Sequence, residues 1–173
     1  EAVELANHHP RVNILQPGPG VGGHCIAVDP WFIVGSAPHE TPLIQSARKV
    51  NDGKPGHIVE QILAAAEENG ATSIACLGLA YKANIDDMRE SPAVTITAAL
   101  AERFDGEVLI VEPNSKTLPD ALADTKGLTL CDLDNALNKS QVIALLVDHR
   151  EFRELVRSRL EGKVVIDTRG IWR

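Results

Sequence analysis

Ser73-Ile74-Ala75-Cys76-Leu77-Gly78-Leu79-Ala80-Tyr81-Lys82 decides the fold. Its apolar residues run on without the alternation of a half-wet strand, the pattern of a parallel strand covered on both faces. Four similar runs follow: Glu107-Val108-Leu109-Ile110-Val111, Leu128-Thr129-Leu130, Gln141-Val142-Ile143-Ala144-Leu145-Leu146-Val147 and Lys163-Val164-Val165-Ile166-Asp167. Helical patterns separate them near Pro92 to Phe104, Asp132 to Asn138 and Glu151 to Arg159. Strands alternating with helices make an α/β unit, a Rossmann-like doubly wound parallel sheet expected in the order 3-2-1-4-5. Ligands of such sheets lie beyond the carboxyl ends of the strands, near the switch between strands 1 and 4. Lys82 after strand 1, Asp148-His149 after strand 4 and Arg169 after strand 5 fall there. The turn after strand 1 holds one glycine, Gly78, where a dinucleotide-binding turn carries three. A lysine side chain can supply charge where the backbone cannot approach a pyrophosphate. Together the two cations suggest a nucleotide diphosphate held by Lys82 and Arg169, although either alone reads as a solvated surface residue.

Ahead of this unit lies Pro17-Gly18-Pro19-Gly20-Val21-Gly22-Gly23-His24-Cys25-Ile26-Ala27-Val28-Asp29-Pro30-Trp31. It carries a cysteine from a glycine-dense loop into a short amphipathic turn. Glycines lack the Cβ atoms that hold a substrate off the backbone, and the start of a helical turn presents the positive end of the peptide dipoles. Thiols become reactive in such settings. Asp29 follows Cys25 by four residues, so in a helical turn the two share a face with Cβ atoms about 5–6 Å apart. Cys25 reads as a nucleophile with a carboxylate beside it, the alternative being a small buried apolar residue. Gly18, Gly20 and Gly23 also match G-x-G-x-x-G. Pro30 arrives too soon for the long helix that this fingerprint opens, so the loop serves the cysteine and not a cofactor phosphate.

The 173 residues include 44% apolar side chains, enough for a packed core, and carry a formal net charge of −7. That charge disfavours nucleic acid and anionic membranes as partners. Cys25, Cys76 and Cys131 are odd in number and lack C-x-x-C spacing. Reduced cytoplasmic thiols are expected, and neither a disulfide scaffold nor a metal site. No membrane-spanning run or signal peptide is apparent. The chain does not begin with Met, and Glu1-Ala2-Val3-Glu4-Leu5-Ala6-Asn7 reads as the tail of a helix that starts earlier, so the chain is expected to be part of a longer protein.

From about Thr41 to Asn69, Leu43, Ile44, Ala47, Val50, Ile58, Ile62, Leu63 and Ala66 recur at three- and four-residue steps. They predict one long helix, or two kinked near Asn51-Asp52-Gly53-Lys54-Pro55. Such a stripe is too long for a domain of this size. It implies either a homodimer through the helix or a connector between domains.

Three motifs in order, Pro17 to Pro30, Leu77-Gly78-Leu79-Ala80-Tyr81-Lys82-Ala83-Asn84-Ile85-Asp86-Asp87-Met88-Arg89-Glu90-Ser91-Pro92, and Asp167-Thr168-Arg169-Gly170, resemble the UDP-glucose/GDP-mannose dehydrogenase superfamily. Within it, His24, Ala27-Val28 and Pro30-Trp31 resemble the branch acting on UDP-N-acetyl-D-mannosamine. The resemblance implies oxidation of a sugar C6 alcohol to a carboxylate with two NAD+ through an aldehyde. Cys25 would form a thiohemiacetal and then a thioester, which Asp29 would help water to cleave. Lys82 and Arg169 match positions that hold UDP, Arg89 one that reaches NAD, and Gly22 and Gly23 the substrate loop. Arg11, with His9, resembles an arginine inserted into a neighbouring subunit's sugar site, at a shorter spacing to the cysteine.

The implied organisation is a central helical region with the Cys loop over 1–69 and a UDP-binding domain over 70–173. The family's NAD-binding domain and its catalytic Lys and Asn lie before this region, so the chain alone is expected to be inactive. UDP-N-acetylglucosamine or UDP-glucose is the alternative substrate. From other classes, a non-catalytic nucleotide-sugar binding and dimerisation module, or a cysteine-dependent aldehyde dehydrogenase or acyl transferase without UDP, also accommodates the pattern.

Overall fold

In a computed structural model describing residues 2–172, the chain opens with α1 (Ala2–Ala6); Glu1 of the expected helix tail lies outside the described residues. An irregular segment leads to α2 (Asp29–Ser36) and the 27-residue α3 (Pro42–Glu68). Then come β1 (Ser73–Leu77), α4 (Pro92–Arg103), β2 (Glu107–Val111), α5 (Asp120–Ala123), β3 (Leu128–Leu130), α6 (Leu133–Lys139), β4 (Val142–Leu145), α7 (Arg150–Arg153), a 3-10 turn (Arg157–Leu160) and β5 (Val164–Asp167).

All five strands are parallel, in the order β3-β2-β1-β4-β5 that the sequence predicts. Central β1 and β4 are buried along their length, whereas edge strands β3 and β5 stay partly exposed. Successive residues of a strand point to opposite faces. Ile74 and Cys76 accordingly join a core with Ile58, Ile62 and Ala66 of α3 and Ile96 and Leu100 of α4. Ala75 and Leu77 join another with Leu137 of α6 and Phe152 of α7.

Local chemistry sets the helix ends. The Ser91 side chain accepts from Ala93 N (3.2 Å) ahead of Pro92, and that of Asp132 from Asn135 N (2.7 Å), each satisfying an N–H with no intrahelical partner. At the end of α3, Gly70 has φ +57°; Ala71 N donates to Ala66 O and Gly70 N to Glu67 O, a Schellman termination.

The structure resolves the long helical pattern into one helix running through Pro55, which is buried. It also divides the stripe in two. Ile58, Ile62 and Ala66 pack inside their own chain, and only the first half of α3 presents apolar groups outward, with Leu43 81% and Val50 75% exposed. The pattern from Glu151 to Arg159 is not one helix: Phe152, Leu155 and Leu160 pack into the second core while Val156 stays outside, so the chain forms α7, turns and re-forms as 3-10. The short α5 has no counterpart in the predicted elements. Strand 1 stops at Leu77, before Gly78 at φ +90°. Among the described residues no helix is long and apolar enough to cross a membrane.

This division of α3 predicts unequal effects. Ile62→Ala should lower unfolding stability by about 2–5 kcal/mol, as for other buried large-to-small changes. Leu43→Ala should change it by no more than about 0.5 kcal/mol. Urea titrations of both variants check this, and equal losses would contradict the packing described.

Candidate functional site

A cleft of about 500 Å³ opens at the carboxyl end of the sheet, beyond β1 and β4. Its floor is Ala80–Ala83 after β1, Leu146–Asp148 after β4 and the Ser91–Ala93 start of α4; Asn13–Gln16 and Pro19–Gly22 form its roof. Lys82 and Arg169, far apart in sequence, both line it.

At Gly22 and Gly23 the loop lies so close to the sheet edge that a side chain is excluded. A Cβ on Gly22 would run into the Glu90 carbonyl and stand 2.7 Å from the Pro92 ring. Gly23 has φ +86° and its Cβ position lies 2.9 Å from the Tyr81 ring. The glycine density therefore serves a close approach of protein to protein, a correction to the expectation that it admits substrate to the backbone. Glu90 has φ +49°, a left-handed backbone uncommon for a residue with a side chain, at the point where its carbonyl meets the loop. Asn51 of α3 clasps the loop from behind: its Oδ1 accepts from Val21 N (2.7 Å) and its Nδ2 donates to Val21 O (3.2 Å). The pairing spans thirty positions and has no motif of its own, so sequence reasoning misses Asn51.

Cys25 is exposed, which removes the buried reading. It lies in the turn before α2 and not in the helix: its carbonyl accepts from Val28 N (3.0 Å) and Asp29 N (2.8 Å). The second bond is the i to i+4 contact that puts Cys25 and Asp29 on one face. His24 Nδ1 is 3.0 Å from Cys25 Sγ. Ile26, the next residue, borders the cleft.

His9, Arg11 and Arg89 are not among the residues lining the cleft. His9 and Arg11 are exposed on a loop closed by Asn7, whose Oδ1 accepts from Ile14 N (2.6 Å). Arg89 is exposed and bound to Asp87 through Nε (3.0 and 3.1 Å) and a terminal nitrogen (2.6 Å). Those bonds hold the Asp87 carboxyl down at about 2.

Three buried residues that the sequence does not mark as a set organise the sheet edge. Asp148 accepts from Arg169 Nε (2.9 Å) and pairs with Arg153, while the Arg169 guanidinium packs on Gly18. Burial alone would raise the Asp148 carboxyl; Arg169 and Arg153 outweigh it and hold it below the ordinary value. At the end of β2, Glu112 Oε2 accepts from Leu79 N (2.7 Å) and Ala80 N (3.1 Å), and Oε1 from Asn114 N (3.0 Å). His149, fully buried, accepts at Nδ1 from Asn84 N (2.9 Å), which leaves Nε2 to donate to Glu112 (3.2 Å). Burial would raise Glu112 too, but bonds from His149, Leu79 and Asn114 keep it below the ordinary carboxylate value. A carboxylate thus occupies the turn amides after β1, the groups that would meet a pyrophosphate in a dinucleotide-binding sheet. A single acid at a strand end carries no motif, and only the fold shows what it bonds.

Comparison with known proteins matches residues 75–173 to the UDP binding domain of the UDP-glucose/GDP-mannose dehydrogenase family and residues 1–53 to its central domain. An NDP-N-acetyl-D-galactosaminuronic acid dehydrogenase of Ralstonia nicotianae is 54% identical over 99% of this chain and 40% of its own length. A UDP-N-acetyl-D-mannosamine dehydrogenase of Salmonella typhi is 52% identical over 100% of this chain and 43% of its own. The solved UDP-N-acetyl-mannosamine dehydrogenase of S. aureus superposes with a TM-score of 0.75 at 36% identity, over 98% of this chain and 39% of that one. The chain thus spans about two fifths of the length of these relatives.

The two depressed carboxylates predict an acid-sensitive edge. Because their folded values lie below their unfolded ones, the stability they contribute is complete above the ordinary carboxylate range, about pH 4, and is lost as pH falls through the depressed values. Glu112→Gln has one acceptor oxygen, so its NH2 must oppose either the Leu79 and Ala80 N–H groups or that of Asn114. It should cost about 1–3 kcal/mol at pH 7 and flatten the decline in urea midpoint below pH 4. An unchanged decline would show that Glu112 is not among its causes.

Proposed function

Because the chain belongs to the UDP-glucose/GDP-mannose dehydrogenase family, we propose that it forms the substrate-holding part of a UDP-sugar 6-dehydrogenase. The observation that carries this reading is the convergence of Lys82 and Arg169 on a cleft roofed by the loop that leads into Cys25. Two cations at one sheet edge suit a diphosphate. The relatives' names favour a UDP-linked 2-acetamido hexose, UDP-N-acetyl-D-mannosamine first and its galacto counterpart second.

In this reading Lys82 and the guanidinium of Arg169 bind the UDP phosphates. Cys25 adds to the C6 aldehyde to give a thiohemiacetal, and Asp29, on the same face, assists the water that later cleaves the thioester. NAD is the oxidant that accepts hydride in each oxidation. The turn after β1 does not fit it, since one glycine is present and Glu112 takes the amides. Dinucleotide binding therefore belongs outside that turn, with Arg89 reaching toward it. His9 and Arg11, exposed on their loop, extend to a neighbouring subunit's sugar. Homodimer contact would use the outward half of α3 with Phe32 and Ile33 of α2, all strongly exposed. The product is a nucleotide-linked uronic acid of the kind used in surface polysaccharides, made in the cytoplasm, where three free thiols persist.

Isothermal titration of this chain should give UDP binding and none for NAD+ alone, with Arg169→Ala weakening UDP by about 1.5–3 kcal/mol. Tight NAD+ binding without UDP binding would overturn the reading. In the full-length protein, NADH formation across UDP-N-acetylmannosamine, UDP-N-acetylgalactosamine, UDP-N-acetylglucosamine, UDP-glucose and GDP-mannose identifies the sugar. Asp29→Asn should give a burst of NADH, then slow turnover with an acyl adduct on Cys25 visible by intact-protein mass spectrometry. An equally slow first turnover without adduct would make Asp29 structural.

A further inference from the structure

His24 is exposed, precedes the nucleophile in sequence and makes no part of the cleft lining, yet its Nδ1 stands 3.0 Å from Cys25 Sγ. At that separation one proton can be shared between ring and thiol. Adjacent side chains on a flexible loop need not meet. These two are held in register because Gly23 is pinned beneath Tyr81 on one side and the Cys25 carbonyl is tied into the turn before α2 on the other.

Carboxylates stand on the loop after β1 and on the same turn as the pair. Asp87, on the loop after β1, is close enough to interact electrostatically with His24, and its carboxylate is bound by Arg89. Asp29 follows on the same turn.

We propose that His24 is the proton acceptor for the Cys25 thiol, a catalytic residue that acts on the reacting sulfur itself. The inference rests on the reading of Cys25 as the group that captures the aldehyde. As the Sγ–C bond forms, the carbonyl π bond opens to an alkoxide and the S–H proton passes to Nδ1. The imidazolium then returns a proton to the alkoxide oxygen, giving the neutral thiohemiacetal. Nothing is oxidised or reduced in this step, and thiol and aldehyde account for every atom of the product. Arg89 holds the Asp87 carboxylate in place on the loop after β1 while the ring carries the charge.

The other cysteines leave Cys25 as a clean reporter. Cys76 is fully buried and burial pushes its thiol up to about 12; Cys131 is half-buried and also raised, by burial and by Asp132. Iodoacetamide alkylation of this chain, read as adduct mass on the Cys25 peptide with Cys25→Ser as blank, therefore measures the pair with no sugar or cofactor present. His24→Gln keeps an acceptor oxygen near the sulfur but cannot carry the proton, and the exposed position leaves the fold undisturbed. The variant should alkylate roughly tenfold more slowly than the parent at pH 7 and equally fast near pH 10, where free thiols ionise unaided. Asp87→Asn should slow the pH 7 reaction in the same direction. Equal rates for His24→Gln and parent at pH 7 would overturn the proposal. Slowing at both pH values alike would also overturn it, as the mark of a merely structural effect. Because no substrate enters this measurement, a full-length protein that makes no NADH from any UDP-sugar would defeat the dehydrogenase reading and leave the thiol result to stand or fall separately.

Discussion

The backbone at Gly22 and Gly23 lies against the carboxyl edge of the sheet at distances that no side chain tolerates, and the rest of the site depends on that contact. Gly22 meets the Glu90 carbonyl and Pro92, Gly23 meets Tyr81, and Gly18 meets the Arg169 guanidinium. Asn51 then locks the same loop to α3 through both hydrogen bonds of its amide. Since α3 buries its second half on the sheet, one helix fixes the distance between the sheet edge that carries Lys82 and Arg169 and the turn that carries Cys25. A methyl group at Gly22 would lift the roof, widen the cleft and move the cysteine together.

Charge at the sheet edge is organised by acids and not only by the cations that face the cleft. Asp148 takes Nε of Arg169 and so sets the plane of its guanidinium against Gly18. Glu112 fills the turn amides after β1, and His149 and Asn114 fill Glu112's remaining acceptor sites. In a sheet of this topology that turn ordinarily serves a phosphate. Occupied by the protein's own carboxylate, it repels one. Lys82, which lines the cleft, follows the same turn by two residues.

Most of the fold was legible in the sequence because parallel strands buried on both faces leave uninterrupted apolar runs; those at 107–111 and 128–130 coincide with strands, whereas those at 73–79 and 141–147 run two residues past the strand ends because the turns that follow are buried too. The strand order followed from the alternation of strands and helices in a doubly wound sheet. The Glu151–Arg159 pattern misled because apolar spacing records which residues are buried and not whether they share one helix. For the same reason the α3 stripe did not show which half is used where: burial against the chain's own sheet and burial against a second copy look identical in one sequence. Lys82 and Arg169 were legible as charges at strand ends. Asp148 was placed at that edge without its partners, and Asn51 and Glu112 were not seen, since these roles come from backbone atoms thirty or more positions away or from a neighbour brought close only by the sheet. The glycines were seen and their purpose misread, because the sequence shows that space is needed but not what fills it.

The most direct test of this account is a crystal structure of the chain with UDP. The account predicts the diphosphate between Lys82 and Arg169 beneath the 18–22 backbone, with Leu79 and Ala80 still donating to Glu112. A diphosphate bound at the Leu79 and Ala80 amides with Glu112 displaced would contradict it.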